Sequence, residues 1–170
     1  MPLAPPGGKV AIFEVANAGR IPDGVIPSLI NGSSVMDFTW DPFNDCRLMC
    51  GLDDGNVTVW GVPDTGLTQP VNTPDLTIPA AHDDKVTMVK CHPLAQGIMA
   101  TAGQDNVIKV WNISDKSAQE VAALTGHTDQ IYSISWSQCG RFIASACKDG
   151  KIRYLKIVNL MLYAMKASIA

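Results

Sequence analysis

The fold is decided by three short stretches that repeat one pattern: Val57-Thr58-Val59-Trp60, Ile108-Lys109-Val110-Trp111 and Ile152-Arg153-Tyr154-Leu155. Each stretch follows an acidic tight turn at the same offset, and the turn aspartates are Asp54, Asp105 and Asp149. These aspartates are spaced by 51 and 44 residues. A second strand-like run precedes each turn, so one unit of several strands recurs through most of the chain.

The repeat also holds at positions outside the turn. Each unit has a histidine or asparagine before its first strand, a small polar residue before the turn and a bulky residue after it. The equivalent residues are Asn31, Cys50, Asp54 and Trp60 in the first unit, His82, Thr101, Asp105 and Trp111 in the second, and His127, Ser145, Asp149 and Leu155 in the third. An imidazole between sheets can bond a carboxylate and a hydroxyl, which in turn meets an indole N–H. We therefore expect a structural network, complete only in the second unit.

The hydrophobic pattern predicts an all-β chain. Val35 to Trp40 alternates apolar and polar side chains, and no long segment before the tail has helical periodicity. The unit length is close to the roughly 40 to 45 residues of a WD40 propeller blade. We expect a partial WD40 β-propeller with an N-terminal strand and loop over residues 1–34, three blades over 35–153 and a divergent tail over 154–170.

Two segments depart from the repeat. Four prolines between residues 61 and 79 predict an exposed loop with at most one edge strand. Residues 157–170 are largely apolar but shorter than the roughly 20 residues of a membrane-spanning helix, so we expect no membrane span. A short helix, a strand and disorder are all open for this tail, and we favour a loosely packed helix.

Three blades cannot close a propeller, because closed propellers have about four to eight blades. The first and last blades would leave apolar faces uncovered, since stacked repeats depend on their neighbours for burial. We therefore expect a chain that is marginally stable or prone to associate with copies of itself through its uncovered blades.

The composition is that of a globular protein, with 46% hydrophobic and 17% charged residues. A net charge of −3 and the lack of a basic stripe argue against nucleic acid as a partner. The first eight residues lack signal-peptide features, so we expect a cytoplasmic protein with reduced cysteines. The five cysteines show no C-x-x-C spacing, and we expect neither a metal nor a cofactor.

No set of nucleophile, base and stabiliser converges in the sequence, so we expect no catalytic residues and no enzymatic activity. His82 and His127 belong to the repeat network. His92 precedes Pro93 in a predicted turn, where we expect it to be exposed. Gly7-Gly8-Lys9 lacks the earlier glycine and the following Ser or Thr of a phosphate-binding loop.

Several motifs together are more specific than the repeat. They are Phe13-Glu14-Val15 with Gly19-Arg20-Ile21, Asp37-Phe38-Thr39-Trp40-Asp41-Pro42-Phe43, Val59-Trp60-Gly61-Val62-Pro63, Lys109-Val110-Trp111 and Cys147-Lys148-Asp149-Gly150-Lys151-Ile152-Arg153. Over residues 8–153 the chain resembles the early blades of the coronin family of actin-associated WD40 proteins, especially its long tandem-propeller members. The resemblance implies a seven-bladed propeller, of which this sequence holds about three blades, no catalysis and a cytoplasmic location. The family's basic N-terminal stretch, later blades and C-terminal coiled coil have no counterpart here.

The resemblance also implies a function. The first hypothesis is a scaffold that binds actin filaments and organises the cytoskeleton. The alternatives are the part that long coronins play in Golgi or vesicle traffic with trafficking proteins, a ubiquitin-ligase adaptor, and a truncated form without binding activity of its own. The polar residues that we expect at the partner-contact surface are Asp83, Asp84, Lys85, Asp129, Lys148, Lys151 and Arg153.

Overall fold

The computed structural model describes residues 7–13 and 26–157 of the chain. These residues form β-strands and no helix, as predicted for an all-β chain, so nothing among them could cross a membrane as a helix. The strands are β1 (Lys9–Ala11), β2 (Ser28–Ile30), β3 (Val35–Asp41), β4 (Asn44–Leu52), β5 (Val57–Gly61), β6 (Leu76–Ile78), β7 (Val86–Cys91), β8 (Ile98–Gly103), β9 (Ile108–Ile113), β10 (Ala118–Leu124), β11 (Ile131–Trp136), β12 (Phe142–Cys147) and β13 (Ile152–Lys156).

The strands form three large antiparallel sheets and one small pair. Neighbouring strands follow the order β3-β4-β5-β6 in the first sheet, β7-β8-β9-β10 in the second and β11-β12-β13 in the third. Strands β1 and β2 pair with each other. Because consecutive strands are neighbours within each large sheet, every sheet is a meander of the kind that forms a propeller blade. The predicted partial propeller of about three blades is therefore confirmed.

The three sheets share one register. Their first two strands pair Val35 with Leu52, Val86 with Gly103 and Ile131 with Cys147, and the register shifts directly after each of these pairs. Such a shift is a β-bulge, which bends and twists the strand locally. Since register decides which face each side chain occupies, equal registers place equivalent residues on equivalent faces.

Stacking of the sheets forms the core. One apolar cluster lies between the first and second sheets and includes Val59 and Met99, and another between the second and third includes Val110 and Ile134. A third cluster, which includes Leu29, joins the β1–β2 pair to the first sheet. Burial of a side chain of this size contributes roughly 1.5–3 kcal/mol, so the shared clusters stabilise the stacking of the sheets.

The tight turn before β5 also joins neighbouring sheets. Gly55 has a φ of +81°, a left-handed conformation that glycine adopts without strain. A Cβ at this position would lie 2.4 Å from the carbonyl oxygen of His82. The backbone N–H of His82 donates to the Gly55 carbonyl at 3.0 Å, so the connection to the second sheet is tied to this turn.

The β1–β2 pair takes the place of the two outer strands of a further sheet. The backbone N–H of Asn31 donates to the Gly8 carbonyl at 2.8 Å, which repeats the contact between His82 and Gly55. This equivalence places β1 at the position of a third strand and β2 at that of a fourth. The remainder of the predicted N-terminal strand and loop, residues 14–25, lies outside the described residues.

The two irregular segments have different outcomes. Within the proline-rich stretch, β6 is an edge strand of the first sheet, as predicted. Strand β13 continues through Tyr154 and Leu155 to Lys156, three residues beyond Arg153, the predicted end of the third blade. Residues 158–170 lie outside the described residues, and a helix there stays a prediction.

Candidate functional site

The second sheet holds a buried chain of four side chains. His82, 2% exposed, places Nδ1 2.9 Å from Asp105 Oδ2 and Nε2 2.8 Å from Thr101 Oγ1. Trp111 Nε1 donates to the same hydroxyl at 2.9 Å. Because a carboxylate only accepts, Nδ1 carries the proton, and Nε2 accepts from Thr101. Burial lowers the pKa of His82, although Asp105 opposes the shift, so the ring is neutral near pH 7.

A glycine permits the direct contact between His82 and Asp105. A Cβ at Gly103 would lie 2.4 Å from His82 Nδ1 and 2.5 Å from Asp105 Oδ1. Both distances are shorter than van der Waals contact, so a side chain here would push the imidazole and the carboxylate apart. Gly103 ends β8, Asp105 follows in the turn, and Trp111 lies on the next strand, β9.

In the third sheet, an arginine stands between the equivalent histidine and aspartate. Cys147 occupies the position of Gly103, and Arg153 Nη1 lies 2.7 Å from His127 Nδ1 and 2.8 Å from Asp149 Oδ2. His127 Nε2 bonds Ser145 Oγ at 2.8 Å. Since a guanidinium only donates, Nδ1 of His127 accepts and Nε2 carries the proton. This is the opposite tautomer to His82.

Electrostatics fixes the charges in the third network. Burial lowers the pKa of His127, and the charge of Arg153 lowers it further. Burial would raise the pKa of Asp149, but hydrogen bonds from Arg153 and from the Lys151 backbone outweigh it and lower the pKa to about 2. The third sheet therefore holds an ion pair beside a neutral imidazole.

The first network lacks both histidine and carboxylate. Asn31 Oδ1 accepts from Thr58 Oγ1 at 2.7 Å and from Trp60 Nε1 at 3.1 Å. The hydroxyl thus comes from β5 and not from position 50, where Cys50 is buried and burial raises its pKa to about 12. Asp54 is exposed and bonds its neighbour Asn56, so it does not join the network.

His92 is not exposed, and the prediction that it would be is wrong. Its side chain is 4% exposed and stacks edge-on against Trp136, with ring centroids 4.6 Å apart. Nδ1 accepts from the backbone N–H groups of Leu94 and Ala95, and Nε2 donates to the Gly140 carbonyl at 2.9 Å. The ring joins the second and third sheets, a role for which a His-Pro turn gives no sequence signal.

The expected contact residues lie in the connections before β7 and β11 and around the turn before β13. Asp83, Asp84, Lys148 and Lys151 are exposed. The other three are partly engaged: Lys85 Nζ lies 2.5 Å from Asp53 Oδ1, Asp129 Oδ2 lies 4.0 Å from Lys148 Nζ, and Arg153 belongs to the third network. The four exposed residues therefore fall into an acidic pair and a basic pair.

Apolar faces are open at both ends of the stack. On β3, Met36, Phe38 and Trp40 are 46%, 51% and 43% exposed, and on β13, Ile152 and Tyr154 are 79% and 78% exposed. The registers make Phe38 equivalent to the buried Val89 and Ile134, and Ile152 and Tyr154 equivalent to the buried Ile108 and Val110. A cavity of about 340 Å³ lies between β1 and β3.

Comparisons with known proteins agree with this architecture. The WD domain, G-beta repeat family matches residues 73–112 and 118–154. Coronin-7 of Rattus norvegicus is 39% identical over 153 residues, which cover 90% of this chain and 16% of that protein. Coronin-7 of Homo sapiens is 37% identical with the same coverage, and coronin-2A of Bos taurus is 31% identical over 88% of this chain and 29% of that protein.

A solved structure shares the fold. The WD40 domain of Toxoplasma gondii coronin superposes with a TM-score of 0.71 at 21% identity and covers 79% of this chain and 34% of that chain. The chain spans only a small part of the curated coronins, 16% of the length of coronin-7. Register, repeat spacing and sequence identity over 90% of its residues place the chain in the coronin family of WD40 repeat proteins.

Proposed function

We propose that this chain is part of a non-enzymatic scaffold that binds actin filaments. The observation that carries the proposal is the match to coronins over 90% of the chain, since filament organisation is what the coronin resemblance implies. Because the chain spans 16% of coronin-7, the proposal concerns the contribution of this portion to binding. On this proposal the chain resides with filaments in the cytoplasm.

The histidines support a role without catalysis. Each of the three histidines has partners on both ring nitrogens: His82 between Asp105 and Thr101, His127 between Arg153 and Ser145, and His92 between backbone groups. A general base needs a free nitrogen within reach of a substrate proton. His82 and His127 instead bond partners of their own sheets, and His92 joins the second sheet to the third.

We place the filament contact at the turn before β13. Lys148 and Lys151 are exposed there, and Lys156 is exposed at the end of the strand. Exposed charges at the rim of an interface mainly steer association and suit a partner of opposite charge. The acidic pair Asp83 and Asp84, in the connection before β7, offers a contrasting surface on the same molecule.

Co-sedimentation with actin filaments tests this proposal. We expect weak but saturable pelleting of the chain, reduced at least threefold in Lys148→Glu/Lys151→Glu. The matched control is Lys116→Glu, which reverses an exposed charge in the second sheet away from this turn and should pellet like the unaltered chain. No pelleting above background by a folded chain, or equal pelleting of all three proteins, contradicts the proposal.

A further inference from the structure

The third network gathers three different metal-binding donors at one point. One ligand atom each of His127, Cys147 and Asp149 lies within 4.8 Å of the other two. His127 and Cys147 are 9% and 7% exposed, so two of the donors are removed from solvent. Imidazole, thiolate and carboxylate are the ligand types that zinc sites use, and four-coordinate zinc needs only one water besides these three.

The side chains around the donors are set up for a cation. His127 presents the unprotonated Nδ1 towards Arg153, while its other nitrogen is held by Ser145 Oγ at 2.8 Å. A hydrogen bond of this kind on the far ring nitrogen fixes the tautomer and orientation of metal-ligating histidines. Asp149 is ionised, because it already bonds a guanidinium at 2.8 Å.

Arg153 shows where a cation is stabilised. A single guanidinium nitrogen lies 2.7 Å from His127 Nδ1 and 2.8 Å from Asp149 Oδ2. A zinc ion in that place would require the two donors to move inward by about 0.7 Å each, given Zn–N and Zn–O distances of about 2.0–2.1 Å. Arg153 lies on the last described strand, and its side chain is 25% exposed, so the guanidinium has a path to solvent.

The second sheet shows that this set of donors is particular to the third. There the position of Cys147 is Gly103, and the histidine bonds the aspartate directly. No thiol is present, and no cation stands between the two side chains. Where the second sheet has glycine, the third has cysteine. In the third sheet the histidine and the aspartate no longer bond each other, and the cysteine adds a third donor.

We propose that His127 Nδ1, Cys147 Sγ and a carboxylate oxygen of Asp149 bind Zn²⁺ when the Arg153 guanidinium turns out to solvent. The Cys147 thiol loses its proton to solvent as the Zn–S bond forms, and water fills the fourth position. Arg153 competes with the ion for the same donors and keeps the affinity of the unaltered chain low. The zinc proposal does not rest on filament binding, although two of its donors lie in the same turn as Lys148 and Lys151.

Zinc titration against a chromophoric chelator tests the proposal in the full chain. All proteins carry Cys46→Ser and Cys139→Ser, because Cys139 is exposed and Cys46 partly so. We expect Arg153→Gln to bind one Zn²⁺ at least tenfold more tightly than the background protein. Adding Cys147→Ser should abolish that gain, and Co²⁺ should give a thiolate charge-transfer absorption only when Cys147 is present.

The controls make every outcome decisive. Circular dichroism checks that each variant keeps its β-sheet signal. If Arg153→Gln does not fold, the background protein with excess Co²⁺ still reports the site, and lack of a Cys147-dependent absorption overturns the proposal. Equal affinity with and without Arg153, or zinc binding that survives Cys147→Ser, also overturns it.

Discussion

The second and third sheets differ at the position of Gly103 and Cys147 and at that of Lys109 and Arg153, and the partners of the equivalent histidines differ with them. Gly103 lets His82 touch Asp105, whereas Cys147 stands at the same place in the third sheet, where Arg153 bridges His127 and Asp149. Both arrangements leave no ring nitrogen unpaired. The repeat therefore keeps its buried polar groups hydrogen-bonded, although the bonding partners differ between the sheets. A buried polar group without a partner costs about 1–3 kcal/mol.

Adding a methyl group to Gly103 should have the largest effect. Gly103→Ala places a Cβ 2.4 Å from His82 Nδ1 and forces the imidazole from Asp105. Overpacking and the broken bond together should lower the free energy of unfolding by about 3 kcal/mol. The matched variant Cys147→Ala removes only a thiol and should cost about 1 kcal/mol. Urea denaturation measures both, and equal losses would remove the distinction between the sheets.

Removal of the histidine should rank second. His82→Ala leaves the Thr101 hydroxyl without its acceptor and breaks the main contact of Asp105, at a cost of about 2–3 kcal/mol. His127→Ala keeps the ion pair of the third sheet, so its cost should be smaller by about 1 kcal/mol. A larger loss for His127→Ala in urea denaturation would contradict this order.

Stability should fall on acidification in two separate steps. Burial lowers the pKa of His82 in the folded chain. Below about pH 6.5 the unfolded chain therefore binds a proton at this imidazole more readily than the folded chain does, and stability falls as pH decreases. Asp149, with a pKa of about 2 against an ordinary value of 3.8, stabilises the fold above pH 3.8, and this is lost between about pH 4 and 2.

His82→Asn separates these two steps. The variant lacks the imidazole, so its free energy of unfolding should change less between pH 7 and 5 than that of the unaltered chain, while the loss below pH 4 remains. Urea denaturation at several pH values measures both limbs. An unchanged slope between pH 7 and 5 would show that His82 does not contribute to it.

The smallest effect should come from the first network. Thr58→Val keeps the shape of the side chain and removes the hydroxyl that bonds Asn31 and Trp60, at a cost of about 1 kcal/mol. Thr101→Val in the second network should cost more, because it leaves both His82 Nε2 and Trp111 Nε1 without a partner. Nearly equal midpoints of urea denaturation for the two variants would mean that the two hydroxyls contribute equally to stability.

The sequence predicted the fold well because its signals are local and repeated. Alternating strands, acidic turns and the spacing of Asp105 and Asp149 define the register, and register brings His82 to Asp105 without further information. Which residue supplies the hydroxyl in each network depends on contacts between neighbouring strands. Thr58 replaces Cys50 as the hydroxyl donor because it lies on the neighbouring strand, beside Asn31.

Other features could not be predicted because they depend on contacts between sheets. His92 is buried by Trp136 of the third sheet, which the sequence of its own turn does not indicate. Arg153 was expected at a contact surface, yet its guanidinium bonds the interior pair His127 and Asp149. A long side chain on an edge strand can point either way, and only the space left by its neighbours decides.

The tautomers of the two equivalent histidines test the central claim most directly. Long-range ¹H–¹⁵N correlation spectra of the imidazole rings near pH 7.5 identify which nitrogen carries the proton. We expect a proton on Nδ1 of His82, bonded to Asp105, and on Nε2 of His127, whose Nδ1 accepts from Arg153. The same tautomer in both rings would contradict the claim that the two networks satisfy equivalent histidines through different contacts.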